Sequence, residues 1–463
     1  MNLIKGPVHF IGIGGAGMSG IAKILLEMGV VVAGSDLKDS ESTRRIRDLG
    51  ARVSIGHAAQ NITNDLTAVV FSSAIPQDNP EILEAKRLGL KVMARAEMLA
   101  ELIKLQQSIA VAGAHGKTTT TAMISLVLEM NGLDPTIVIG GDLRQIGSNA
   151  KLGRGKYLVA EADESDGSFL KLFPQIAVIT NIENDHLDYY RSVHNIVNAF
   201  IQFVEQIPQD GFIVLCLDDK ELAKIKETVP GNYITYGIKR TDADYIAKNI
   251  KFNGLGSKCE VYFQGERLGR LSLNVPGVHN ITNALAAIAI GRELGLSFDQ
   301  AAKGLKQFTG AKRRFELIEK VNGITIVDDY AHHPTELRAT LKAAKSAGFE
   351  RTIAIFQPHR YSRTKLLQFE FGESFFDADL VVINEIYSAS EKPIPGVSAQ
   401  LIVNAVTNSN HKAVVYCKTE DDILEFMKKE SRPGDLIITL GAGNIRQAGI
   451  RLADELKSGG RKM

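Results

Sequence analysis

Short apolar runs recur along this chain. Each closes on glycines or polar residues, and most are followed by a stretch with helical spacing. VHFIGI opens into GGAGMSGIAKILLEMG, a glycine turn entering a helix, and VVVAGSD and AVVFSSAI read as further strands. SIAVAG leads through AHGKTTTT into AMISLVLEM, and KYLVAEADESDGSF and PQIAVITNIENDHLDYY again run from strand into polar loop. Near the C-terminus GITIVDDYAHHPTELRATLKAA, RTIAIFQPHRYSRT, DLVVINEIYSA and DLIITLGAGNI repeat the scheme with helical patterns between them. This alternation predicts an α/β protein with mostly parallel sheets, whose functional loops lie at the C-terminal ends of the strands. Residues 241–276 depart from it. YIAKNIKF, CEVYF and RLGRLSLNV alternate over short segments between glycine turns, as antiparallel hairpins do. Three domains are expected: residues 1–105, Rossmann-like; 106–311, central and containing the hairpins; and 312–463, again Rossmann-like.

Charge changes this picture by exclusion. With 54 basic and 53 acidic residues the net charge is +1, which gives no electrostatic reason to expect nucleic acid or an anionic membrane as partner. No uncharged apolar run approaches the roughly 20 residues of a membrane helix, so no membrane insertion is expected. The N-terminus goes straight into a strand rather than a signal peptide, and Cys216, Cys259 and Cys417 are too scattered for a disulfide framework; both fit a cytoplasmic protein.

The candidate chemistry lies in the loops. In AHGKTTTT, Gly113, Ala114, His115, Gly116, Lys117, Thr118 and Thr119 form a phosphate loop between strand and helix. Its backbone N–H groups and the helix start face an anion, Lys117 can reach the β- and γ-phosphates, and the Thr118 hydroxyl can hold Mg²⁺. Val111 stands where the general motif has its first glycine, so the loop is G-x-x-G-K-T; the plainer reading is a glycine turn before a Thr-rich helix. Gly12, Gly14 and Gly17 with Asp36 match the dinucleotide fingerprint: a tight turn, close approach of a pyrophosphate, helix packing on strand, and an acid for a ribose hydroxyl. A nucleotide-diphosphate sugar offers the same groups. Ser72 and Ser73 end the next strand of that domain. Glu161, at a strand end, is the best candidate for a further Mg²⁺ ligand, whereas Asp163, Glu164 and Asp166 taken singly read as a solvated acidic loop. His186 follows a strand in the same domain and is a catalytic or metal-side candidate; a lone loop histidine is more often a surface residue. Asn283 lies one turn beyond His279, where it could read a base edge, and Asn280 reads as a helix cap. In the third domain, Asp328 to His333, His359 to Arg363 and Glu385 to Ser390 all fall at strand ends.

Taken together, GIGGAGMSG, GAHGKTTTT, EADESDGSF, NIENDHLDYY, PGVHNITNALAA, AKRRFE, DDYAHHPTE, QPHRYSRT and GAGNI, in this order over the whole chain, resemble the Mur ligases. The resemblance implies an ATP- and Mg²⁺-dependent acid–amino-acid ligase of peptidoglycan precursor synthesis. Its substrates would be UDP-N-acetylmuramate and L-alanine, joined through an acyl phosphate on the lactoyl carboxylate. It implies a UDP-sugar site at Gly14, Gly15, Ala16, Gly17, Met18, Ser19, Asp36, Ser72 and Ser73. It implies ATP at the phosphate loop with His279 and Asn283 near the adenine, Asp329 on the ribose and Arg314 beside the reacting phosphate. Thr118, Glu161 and His186 would serve the metal, with Lys117, Glu161, His186 and Arg314 as the catalytic set. Tyr330, His332, Arg360 and Arg363 would line the amino-acid and product side. Several relatives in this family carry a carbamylated lysine on the helix after the DH loop. No lysine occurs here between Lys171 and Lys220.

Three other readings compete. A nicotinamide oxidoreductase would use the first glycine turn and leave the GKT loop unexplained. A P-loop switch would bind nucleotide without ligase chemistry. A sister ligase would add another amino acid or a peptide, although GIGGAGMSG and DDYAHHP favour L-alanine.

Overall fold

The strands form where the apolar runs lie. The computed structural model describes residues 6–72, 74–143, 145–184, 186–389, 391–409 and 413–459, and among these the strands make three sheets. The first has five parallel strands in the spatial order Arg52–Ile55, Val32–Asp36, Val8–Ile11, Ala68–Phe71, Lys91–Ala94. The chain starts at the central strand, works outward on one side, then crosses to the other. That reversal leaves a crevice beyond the C-terminal end of Val8–Ile11, where the glycine turn sits.

The second sheet has ten strands, in the order Glu266–Leu273, Gly256–Phe263, Tyr245–Asn253, Tyr233–Gly237, Phe212–Cys216, Ile176–Ile179, Gln107–Ala112, Tyr157–Glu161, Thr136–Leu143, Ser148–Lys151. From Tyr245–Asn253 to Thr136–Leu143 neighbours run parallel, and the last strand is antiparallel. The three strands between Tyr245 and Leu273 follow one another with two-residue links, a connection only antiparallel partners permit, so the expected hairpins are there. The third sheet runs Glu316–Val321, Ile324–Asp329, Asp435–Leu440, Arg351–Phe356, Leu380–Ile383, Val414–Tyr416 and is parallel apart from its first pair.

The central strands of all three sheets are buried on both faces, which is why they read as continuous apolar runs instead of alternating ones. In the third sheet alternate residues serve two cores. Val327, Ala354, Phe356 and Ile438 pack with Leu337, Phe371 and Phe375 on one face. Ile326, Ile353, Ile355 and Ile437 pack with Leu452 on the other.

The chain divides into two compact units. One comprises residues 1–248, 260–271 and 282–308, holding the first sheet and most of the second; the other comprises 249–259, 272–281 and 309–463. Among the described residues, no helix is long and apolar enough to cross a membrane.

Candidate active site

Strand Gln107–Ala112 delivers the chain into the phosphate loop, and helix Lys117–Met130 leaves it. Gly113 and Gly116 hold φ of +127° and +85°, which an L side chain resists. A Cβ on Gly116 would stand 2.9 Å from Asn283 Oδ1, so Asn283 lies directly against the loop. The helix begins with no side-chain cap, leaving its first N–H groups directed into the loop. Asn181 clamps His115 from both sides, donating to its carbonyl and accepting from its N–H at 2.9 Å each. Thr180 Oγ1 donates to the same carbonyl at 2.6 Å, and the His115 ring lies 3.4 Å from Glu183.

The Lys117 ammonium donates to the carbonyls of Gly113 (2.6 Å) and Ala114 (3.2 Å) and to Glu164 Oε1 (2.8 Å). Burial disfavours this charge, but Glu164, Glu161 and Asp163 outweigh it and hold the ammonium above its ordinary pKa. Thr118 Oγ1 donates to Glu161 Oε1 at 3.2 Å, and the other Glu161 oxygen accepts from the Gly140 N–H at 2.9 Å. His186, at a left-handed φ of +57°, points Nε2 to within 3.7 Å of Glu164 Oε1.

Of the three loop acids, Glu164 is therefore not solvated, whereas Asp163 and Asp166 keep part of their surface in solvent. Glu164 is 2% exposed, and Asp163 pairs with Arg95 at 3.2 Å. Both partnerships are invisible to a residue-by-residue reading. Arg95 had one local signal: it is the first residue of a helix, where a cation opposes the helix dipole and needs another reason to be there. A Thr hydroxyl and carboxylates beside a phosphate loop are the hard oxygen donors Mg²⁺ prefers, so the residues fit that ion.

At the first glycine turn, Gly12 takes a φ of +80°, as a tight turn demands. The other two glycines make room for different groups than the fingerprint alone suggests. A Cβ on Gly14 would meet Thr43, Asp36 and Ser40 at 2.8–3.1 Å, and one on Gly17 would meet the Arg95 guanidinium at 2.8 Å. Gly34 of the neighbouring strand makes room for the turn itself: a Cβ there would meet the Ile13 side chain at 2.6 Å and the Phe10 carbonyl at 2.8 Å. Asp36 Oδ2 accepts from the Gly14 N–H at 2.9 Å, and Gly15 N–H bonds to the Gly12 carbonyl at 3.1 Å. Met18 is packed in the core, and Ser19 and the Ala16 carbonyl are both engaged by Asn149 of the second sheet. Ser72 closes its strand with its N–H toward the Ile11 carbonyl (3.4 Å); Ser73, like Asp185 and Ser390, lies outside the described residues.

In the second unit Asp329 is buried, and its two oxygens accept from the N–H groups of Ala331 (2.8 Å) and Phe315 (2.7 Å). Burial pushes its pKa up to about 6, against the pull of Arg314. Arg314 lies over the Tyr330 ring at 5.4 Å and 3.5 Å from Glu336. Its neighbour Arg313 binds Asp328 at 3.0 Å and reaches the carbonyls of Gly441, Ala442 and Gly443, tying two strand ends together. The rings of Tyr330, His332, His359 and Tyr387 follow one another at centroid spacings of 5.4–5.7 Å across three strand ends. Burial lowers His332 to about 4, with Glu336 opposing; burial, His332 and Arg363 lower His359 to about 3. Arg363 Nη1 lies 3.5 Å from His359 Nδ1, and Arg360, at a φ of +72°, donates its N–H to Tyr387 at 2.8 Å. His279 is lowered to about 4 by burial and Arg314. Asn280 does not cap its helix, which begins at Val278; its amide instead donates to the Pro276 carbonyl at 2.7 Å.

The first unit thus holds a phosphate loop whose lysine and hydroxyl face carboxylates, on a mostly parallel sheet. That defines a P-loop protein of the α/β class. Three family models match in sequence: the Mur ligase family catalytic domain over residues 7–107, the Mur ligase middle domain over 111–291 and the Mur ligase glutamate ligase domain over 313–443. The chain belongs to the Mur ligase family. It is 55% identical over 453 residues to the UDP-N-acetylmuramate–L-alanine ligase of Pelotomaculum thermopropionicum, covering 98% of each chain. It is 54% identical to the protein of the same name from Desulforamulus reducens, covering 97% and 98%. Among solved structures, UDP-N-acetylmuramate-alanine ligase from Thermotoga maritima superposes with a TM-score of 0.83 at 31% identity, over 98% of this chain and 100% of that one. A murein peptide ligase from Psychrobacter arcticus gives 0.71 at 27%, over 98% and 99%.

Proposed function

We propose that the chain joins L-alanine to the lactoyl carboxylate of UDP-N-acetylmuramate, with ATP converted to ADP and phosphate, in the cytoplasmic synthesis of peptidoglycan precursors. The observation that carries this reading is the Lys117, Thr118 and Glu161 constellation at the phosphate loop, in a chain that matches alanine-adding relatives over nearly its whole length. We take residues 1–105 as the UDP-sugar domain, 106–311 as the ATP domain and 312–463 as the amino-acid-side domain.

A carboxylate is a poor electrophile because its leaving group would be an oxide; phosphorylation supplies a better one. Lys117 brings a cation to the reacting phosphate, and Arg314 is the second candidate for that charge. Bound Mg²⁺, held by Thr118 and Glu161 with His186 near, would neutralise phosphate oxygens. The L-alanine amine then displaces phosphate from the acyl carbon, forming the amide and losing a proton. Burial lowers His332 to about 4 and His359 to about 3, so both are weak bases at pH 7, and solvent or the departing phosphate takes that proton. Arg360 and Arg363 offer guanidinium forks for the alanine carboxylate.

The test is ADP release with ATP, Mg²⁺ and UDP-N-acetylmuramate across a panel of amino acids and murein peptides. L-alanine should give the highest kcat/KM. ADP release with a tripeptide and not with L-alanine would assign the chain to the peptide-adding branch, and none with any acceptor would leave a nucleotide-binding switch.

A further inference from the structure

All three Lys117 ammonium protons are committed: two to the loop's own carbonyls and one to Glu164. The lysine can take a phosphate oxygen only by giving up one of these contacts. The carbonyls belong to the loop itself and stay beside the ammonium, so the contact that can be exchanged is Glu164.

Glu164 is built into this position. It is 2% exposed, its backbone carbonyl accepts from the Tyr190 hydroxyl at 2.6 Å, and Tyr190 is itself buried. Its Oε1 serves Lys117 and lies 3.7 Å from His186 Nε2. Its Oε2 is buried and has no hydrogen-bond partner among the described residues. A carboxylate oxygen left in that state carries a desolvation cost that a cation would remove. Glu161 and Asp163 add negative charge around the same lysine, and Arg95 is paired with Asp163. An anionic nucleotide entering without a cation therefore meets a carboxylate already occupying its lysine.

We propose that Glu164 is a positioning residue that holds Lys117 in the nucleotide-free loop and sets the divalent-cation requirement of nucleotide binding. Its carboxylate passes from the lysine to a cation on the His186 side as the lysine turns to the phosphates. The inference rests on the reading of this loop as the ATP site.

The test is equilibrium titration with ADP, with Mg²⁺ and in excess EDTA, on wild type, Glu164→Gln and Asp166→Asn. Glutamine keeps the shape and an acceptor for Lys117 but removes the charge. Metal-free ADP should bind Glu164→Gln about tenfold more tightly than wild type, within the range of ordinary coupling between sites, and the gain in affinity on adding Mg²⁺ should shrink by the same factor. Asp166→Asn removes the same charge from the same loop without touching Lys117, and its metal-free affinity should stay within about twofold of wild type. UDP-N-acetylmuramate binding checks that each variant is folded. If Glu164→Gln does not fold, Glu164→Asp retracts the carboxylate from the lysine and should tighten metal-free ADP by a smaller factor. Unchanged metal-free affinity in the folded Glu164 variant, or an equal shift in Asp166→Asn, would overturn the proposal. Failure of wild type to bind ADP even with Mg²⁺ would instead overturn the assignment of the ATP site.

Discussion

Asp329 carries the clearest pH signature of any single residue here. Its pKa is raised to about 6, mainly by burial, so the carboxyl is charged above that pH and protonated below it. The folded value lies above the ordinary one of 3.8, so ionising this group costs folded stability as pH rises through about 6. The charged form keeps lone pairs on both oxygens beyond those used by Ala331 and Phe315 and can accept from a ribose hydroxyl; the protonated form accepts less well. We expect KM for ATP to rise as pH falls below about 6, and the break to vanish in Asp329→Asn, whose KM should already be high at pH 7. His279, His332 and His359 lie at about 4, 4 and 3, too low to supply a break near 6. A break that survives in Asp329→Asn would assign the ionisation to another group.

Helix Val193–Glu205 shows what an element contributes by what it lacks. It carries no lysine, and its inward residues Ile196, Ala199, Phe200, Phe203 and Val204 are apolar. Phe200 and Phe203 pack on Phe169 at centroid distances of 5.2 and 4.9 Å, so the helix is fixed by aromatic packing rather than by a polar arm. A carbamate cannot form on it. Rates at saturating Mg²⁺ should therefore be the same in buffer purged of bicarbonate and in buffer supplemented with it. A large loss reversed by bicarbonate would place a carbamylated lysine elsewhere in the chain. The strands read from the sequence were legible because each is a local apolar run closed by glycine or polar residues, and Gly12 and Gly116 do take positive φ; Arg52–Ile55 and Val414–Tyr416, with no fully buried residue, give no such run. Contacts across sequence were not legible. Glu164 read singly is a loop acid; only the fold brings it to Lys117, 47 positions away. For the same reason the neighbours of Gly14 and Gly17 could not be read from the fingerprint, since Thr43 and Arg95 arrive on other helices.

On the scale of the whole molecule the candidate chemistry is divided. Lys117, Thr118, Glu161, Glu164, His186 and the first glycine turn belong to one compact unit, while Tyr330, His332, Arg360 and Arg363 belong to the other. If the second set handles the amino acid, damage there should spare activation of the carboxylate. Arg363→Ala removes a guanidinium whose Nη1 lies 3.5 Å from the His359 ring. Losing a charge-assisted hydrogen bond of about 1.5–3 kcal/mol corresponds to a rise of about 10–150-fold in KM for L-alanine. The acyl phosphate should still form from ATP and UDP-N-acetylmuramate without any amino acid. Hydroxylamine will trap it, its nitrogen attacking the acyl carbon as phosphate leaves, and the hydroxamate yield should match wild type. Equal loss of hydroxamate and of alanine ligation in Arg363→Ala would mean that this arginine acts on the phosphoryl step, alongside Arg314 of the same unit, and not on the amino acid.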